Sequence, residues 1–128
     1  MTRVLMVCMG NICRSPMAEG VLRKAIQDAG LDRHVEVDSA GTHAYHVGSA
    51  PDPRAQQAIR QRGVDISSLR GRKVADEDFE RFDYILVMDG DNYGRLIERA
   101  PTHHHGKIRR LLSFSRKSPD LDVVEPYY

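Results

Sequence analysis

Short apolar runs alternate along this chain with stretches in which apolar positions recur at helical spacing. Val4 to Val7 is a near-continuous apolar run, the pattern of a strand buried on both faces. From Ser15 the spacing changes. Ala18, Val21, Leu22, Ala25 and Ala29 share one helical face, Pro16 suits the first helical position, and Gly30 stops the helix. Val35 and Val37 alternate with charged residues in a second strand that leads into Ser39-Ala40-Gly41-Thr42. A turn-rich stretch to Pro53 precedes a short helix through Ala55, Ala58 and Ile59, closed at Gly63. Asp76 to Phe82 predicts a brief helix and Tyr84 to Met88 a third buried strand. A helix after Asp89 and Asp91 runs to about Arg99, and Ile108 to Phe114 supplies a fourth strand. Strand followed by helix, several times over, predicts an α/β fold: an open parallel sheet with helices on both faces. Ligands of such sheets sit beyond the carboxyl ends of the strands, which is where Cys8 falls.

Composition narrows the function classes. The chain has 128 residues, enough for one core but not two, so a single domain over 1–128 is expected. Its net charge of +1 leaves no nucleic-acid footprint, and the basic cluster of Arg70, Arg72 and Lys73 reads as a solvated face. The amino terminus enters a strand pattern directly, without the regions of a signal peptide, and no apolar stretch approaches the roughly 20 residues of a membrane span. A cytoplasmic protein without membrane contact is expected. Cys8 and Cys13 lie too close together to staple a fold, and in a reducing compartment both stay thiols.

The segment from Arg3 to Gly20, RVLMVCMGNICRSPMAEG, carries the chemistry. A loop between a strand and a helix N-terminus turns several unpaired N–H groups toward one point, and the helix dipole adds partial positive charge there. An oxyanion is the natural occupant, bound by the loop residues Met9, Gly10, Asn11, Ile12, Cys13 and Arg14. Cys8, beneath that field, is expected to act as a thiolate nucleophile. Arg14 closes the loop with a planar fork suited to two phosphate oxygens, and its contacts strengthen as charge spreads in the transition state. Ser15 is placed to donate its hydroxyl to the thiolate. Gly10 lets the backbone fold tightly, and Asn11 is expected in the left-handed region with its side chain bracing the loop. A lone cysteine at a strand end is usually apolar filler. The spacing of Cys8 to Arg14, with five residues between, then Ser15 and Pro16, is far more specific.

CMGNICRSPMAEG resembles the active-site signature of the low-molecular-weight protein tyrosine phosphatases. The similarity continues through DSAGTHAYHVGSAPDPRAQQAIRQRGVDIS and FDYILVMDGDN to DVVEPYY, and so spans essentially the whole chain. It implies a four-stranded, doubly wound parallel sheet and a two-step hydrolysis of phosphotyrosine through a cysteinyl phosphate, with no metal and no cofactor. Carried over by position, Cys8 is the nucleophile, Arg14 the transition-state clamp, Asn11 the loop brace and Ser15 the thiolate donor. Cys13 matches a cysteine that forms a reversible disulfide with the nucleophile and shields it from over-oxidation. Tyr45, Tyr127 and Tyr128 resemble the aromatic walls that sandwich a phenyl ring, and Ile12 stands where arginine phosphatases carry Thr. The partners implied are phosphotyrosine proteins and a bacterial tyrosine kinase, with the enzyme a monomer or weak dimer.

The chain departs from the family in three places. The general acid is normally the Asp of Asp-Pro-Tyr-Tyr, whereas this chain reads Glu125-Pro126-Tyr127-Tyr128. Glu125 is the expected acid, with Asp122 a fallback, although an added methylene displaces the proton by up to a bond length. Leu69 replaces a His that supports the loop Asn, which leaves Ser39 to brace Asn11. The family's closing C-terminal helix is absent after Tyr128, so part of one sheet face is expected to lie open. Asp89 and Asn92 match the family's Met-Asp-x-x-Asn pattern and are read as helix capping and packing near the loop. His103, His104 and His105 read as an exposed polar loop, because successive residues suit no tidy metal coordination. Besides the phosphatase, two classes stand: a phosphate-binding or catalytically impaired protein, and an arsenate reductase. The latter needs redox cysteines downstream of Cys13, where the chain has none.

Overall fold

The computed structural model describes residues 1–114. Four parallel strands form one sheet in the order β2-β1-β3-β4: β1 Thr2–Cys8, β2 Val35–Gly41, β3 Tyr84–Val87 and β4 Ile108–Arg110. In register, Val4 pairs with Val37 on one side and Tyr84 on the other, and Cys8 stands opposite Gly41. Four helices connect the strands: α1 Arg14–Asp28, α2 Pro53–Arg60, α3 Glu77–Arg81 and α4 Gly90–Arg99. Alternate residues of β1 enter two different cores, as the period of a strand requires. Leu5 and Val7 pack with Phe79, Phe82 and Leu96 beneath α3 and α4. Val4, Met6 and Cys8 pack with Ile26, Ala18 and Leu22 of α1 on the opposite face. The sheet is thus covered on both sides, as expected. The winding reverses at β1, with β2 on one side and β3 and β4 on the other, and the carboxyl end of that strand is the crevice where such folds bind ligands.

Several local expectations need correction. Helix α1 opens at Arg14, so Pro16 occupies the third helical position, still within the first turn, whose N–H groups have no intrahelical partner to lose. The apolar stripe of α1 is only partly buried. Ser15, Glu19, Gly20 and Ile26 are buried, whereas Val21 is 48 % exposed and lines a groove of about 790 Å³ with Met17, Ala25, Met88 and Leu111. The roll of the helix is set by Gly20, where a Cβ would stand 2.6 Å from Ile66 Cγ2 and 2.8 Å from Val64 Cγ1. The fourth strand ends at Arg110; Leu111–Phe114 form a 3₁₀ turn, which lets Leu111 pack against the core that holds Met6 and Met88. The histidine run forms a 3₁₀ helix, Thr102–Lys107, with His104 buried at 6 % exposure rather than in an open loop. Arg72 is likewise no solvated cation, as it pairs with Asp38 at 3.1 Å and Asp78 at 2.9 Å.

Candidate active site

Residues 9–13 form the loop between β1 and α1, and backbone carbonyls at its start and middle are tied to neighbouring segments. Those of Cys8, Met9 and Ile12 accept N–H groups of Thr42, His43 and Asp52 at 2.9, 3.0 and 2.8 Å. Of the loop's N–H groups, that of Asn11 points at Cys8 Sγ from 3.3 Å. Gly41 makes the fit possible, because a Cβ there would stand 2.8 Å from the Met9 carbonyl oxygen. The first turn of α1 carries no acidic residue, so the partial positive charge of the helix N-terminus is not cancelled.

Around the sulfur, geometry assigns the hydrogens. Asn11 adopts a φ of +58°, the left-handed conformation expected of it, and is 3 % exposed. Its Nδ2 donates to Ser15 Oγ at 2.8 Å and to Ser39 Oγ at 3.0 Å, while its Oδ1 accepts the Arg72 N–H at 3.0 Å. Ser15 Oγ, which accepts from Asn11, lies 3.0 Å from Cys8 Sγ, within reach for its hydroxyl to donate to the sulfur. Ser39 in turn donates to Glu19 Oε1 at 2.6 Å, and Glu19 is paired with Arg23, which also donates to the Val37 carbonyl at 2.9 Å. Burial raises the Glu19 carboxyl above its ordinary range, against the pull of the Ser39 hydroxyl and Arg23. Arg14 is held from the other side: Nη1 donates to Asp89 Oδ2 at 2.7 Å, while Asp89 Oδ1 caps α4 by accepting the Asn92 N–H at 2.8 Å.

The structure links Cys8, Asn11, Ser15 and Ser39 by hydrogen bonds, sets Arg14 on Asp89, and adds Glu19, Arg23 and Arg72 around them. One signal was available for the first two. Ser15, Glu19 and Arg23 recur at four-residue spacing on one face of α1. Tyr45 is 72 % exposed and stacks on His43 with ring centroids 5.1 Å apart. Leu69 packs beside Ile59, Val64 and Ile66, and the backbone of Arg72 takes the Asn11 carbonyl instead. Asp122, Glu125, Tyr127 and Tyr128 lie outside the described residues.

A cysteine at a strand end with a backbone N–H and a hydroxyl on its sulfur, followed by a helix whose first residue is an arginine held on Asp89, suits a phosphate site. The sequence model for the low molecular weight phosphotyrosine protein phosphatases matches residues 3–128. The chain belongs to this family. It is 40 % identical over 128 residues to the low molecular weight protein-tyrosine-phosphatase YfkJ of Bacillus subtilis, covering 100 % of this chain and 82 % of that one. With the human low molecular weight phosphotyrosine protein phosphatase it shares 40 % identity over 126 residues, covering 98 % and 79 % of the two chains. A crystal structure of the protein tyrosine phosphatase of Entamoeba histolytica, with Hepes in its active site, superposes with a TM-score of 0.95 at 41 % identity, covering 100 % and 81 %. As a phosphatase of this family the protein is a phosphoric monoester hydrolase acting on phosphotyrosine proteins. Among the described residues no helix is long and apolar enough to cross a membrane.

Proposed function

We propose that this phosphatase works through Cys8 as nucleophile and Arg14 as transition-state clamp, with Glu125 as general acid. The observation that carries the reading is the placement of Cys8 Sγ, 3.3 Å from the Asn11 N–H and 3.0 Å from Ser15 Oγ. Cys8 Sγ attacks phosphorus and forms the S–P bond as the bond to the tyrosyl oxygen breaks. Glu125 gives that oxygen its proton. The Arg14 guanidinium, oriented by Asp89, binds two equatorial oxygens as their charge grows, and the N–H groups of residues 9–14 bind the rest. In the second step Glu125 takes a proton from water, the water oxygen attacks phosphorus, and Cys8 leaves as a thiolate stabilised by the Ser15 hydroxyl. Inorganic phosphate is released.

Tyr45, Tyr127 and Tyr128 form the walls of a slot for the phenyl ring, where stacking adds about 0.5–1.5 kcal/mol beyond area burial. Ile12 favours phosphotyrosine. Cys13, buried in the same loop, is the redox partner of Cys8. The enzyme acts in the cytoplasm on the products of a tyrosine kinase, as a monomer or weak dimer.

Turnover of aryl phosphates tests this reading. Cys8→Ser abolishes turnover and retains phosphotyrosine binding, whereas an inactive parent that still binds phosphotyrosine would be a binding protein. Glu125→Gln lowers kcat for phenyl phosphate by about a hundredfold or more, the range of general acid catalysis, and far less for p-nitrophenyl phosphate. Equal losses for the two would remove Glu125 from the role of acid.

A further inference from the structure

Glu80, His103 and His104 meet at the end of the sheet opposite Cys8, where α3 packs on the 3₁₀ helix that precedes β4. His104 is buried, and its Nε2 makes no hydrogen bond. Glu80 Oε1 stands 2.9 Å from that nitrogen, close enough for an ion pair but out of line for a hydrogen bond. His103 Nε2 is 4.0 Å from the same oxygen, and the two imidazole rings lie with centroids 4.0 Å apart, tilted by 44°. One donor atom from each of the three residues lies within 4.8 Å of the other two.

His104 Nε2 is buried and 2.9 Å from a carboxylate oxygen, yet it is turned out of line for a hydrogen bond to it, an arrangement that needs a physical reason. Zinc holds imidazole nitrogen and carboxylate oxygen at about 2.0–2.2 Å in a tetrahedron, which sets neighbouring ligand atoms roughly 3.3–3.5 Å apart. The separations of 2.9 and 4.0 Å bracket that span. Two imidazoles and one carboxylate favour zinc over magnesium or calcium, which prefer all-oxygen shells. Lys107, whose charge also acts on Glu80, donates its ammonium to the Phe79 carbonyl at 2.7 Å.

Against the expectation that successive histidines suit no metal, Glu80 of α3 adds a ligand from a second element, and we propose that Glu80, His103 and His104 form a zinc site, each giving one ligand atom and leaving the fourth position to water. The ion ties α3 to the segment before β4. It takes no part in phosphoryl transfer, since Cys8 lies at the other end of β1.

Calorimetric titration of Zn²⁺ into the Cys8→Ser/Cys13→Ser protein tests the site without competing thiolates. One ion per chain is expected, bound at least about tenfold more weakly by His103→Gln and by Glu80→Gln in the same background. The side chains of His103 and Glu80 are both 70 % exposed, so these substitutions leave the fold intact. In that background Zn²⁺ raises Tm and His103→Gln removes the rise, and in the parent, without metal, His103→Gln keeps full phosphatase activity. Imidazole nitrogen resonances of His103 and His104 shift on adding Zn²⁺, while those of His34, His43 and His46 stay in place. Unchanged affinity in both variants, or shifts confined to the other histidines, would overturn the proposal.

Discussion

Asn11 spends its whole side-chain amide on structure. Both Nδ2 hydrogens and the Oδ1 acceptor are bonded, so the residue holds its +58° φ by partners on three sides. A left-handed non-glycine residue costs about 1–3 kcal/mol of local strain, and three hydrogen bonds of about 1 kcal/mol each, two of them buried, are enough to hold it. Asp89 divides its work between its two oxygens, one for the α4 cap and one for Arg14. Asp89→Ser separates the two roles, because serine is as good an N-cap but too short to reach the guanidinium. Hydrogen bonds to charged groups are worth about 1.5–3 kcal/mol, so kcat is expected to fall roughly ten- to a hundredfold. Thermal unfolding should stay close to that of the parent. A matching loss of Tm would mean that the cap, and not the arginine, sets the activity.

Helix α1 shows at the level of an element why a helical pattern alone misplaces a face. Five small or apolar residues at helical spacing point to burial, yet Glu19 is 2 % exposed and Val21 48 %. What rotates the helix is the contact of Gly20 with Val64 and Ile66, more than forty positions away, which no local pattern reports. Alanine at this position gains about 1 kcal/mol of helix propensity. The same methyl meets two buried β-branched side chains at 2.6 and 2.8 Å, and overpacking of that kind costs about 1–3 kcal/mol. Gly20→Ala is therefore expected to lower the urea midpoint, and a raised midpoint would show that propensity wins. Cys8, Asn11, Arg14 and Ser15 were legible because strand, loop and helix start are contiguous in sequence. Glu19, Arg72 and His104 were not: a charged residue on a helix or in a basic cluster reads as solvated until its partner is known. Those partners, Ser39, Asp38, Asp78 and Glu80, come from other elements.

For the molecule as a whole, the buried Glu19 makes stability depend on pH. Its carboxyl is raised above the ordinary value of 4.5 by burial, so the folded state holds the proton more tightly than the unfolded chain does. Stability from this group is present below about pH 4.5 and falls as pH rises through the raised value. Glu19→Gln removes that component, and urea unfolding at about pH 4.5 and pH 8 should show the variant gaining on the parent at the higher pH. A constant difference between the two would mean that Arg23 already compensates the charge. The contacts of Asn11 span 4, 28 and 61 residues of sequence, so the loop is locked only after β2 has paired and the segment at Arg72 has docked. Contacts across such distances are the slow ones to form, because chain closure precedes any gain from them. Catalytic competence thus arrives late in folding: a partly folded chain holds the thiol and the guanidinium but not the shape between them, and phosphotyrosine meets an enzyme only in the finished molecule.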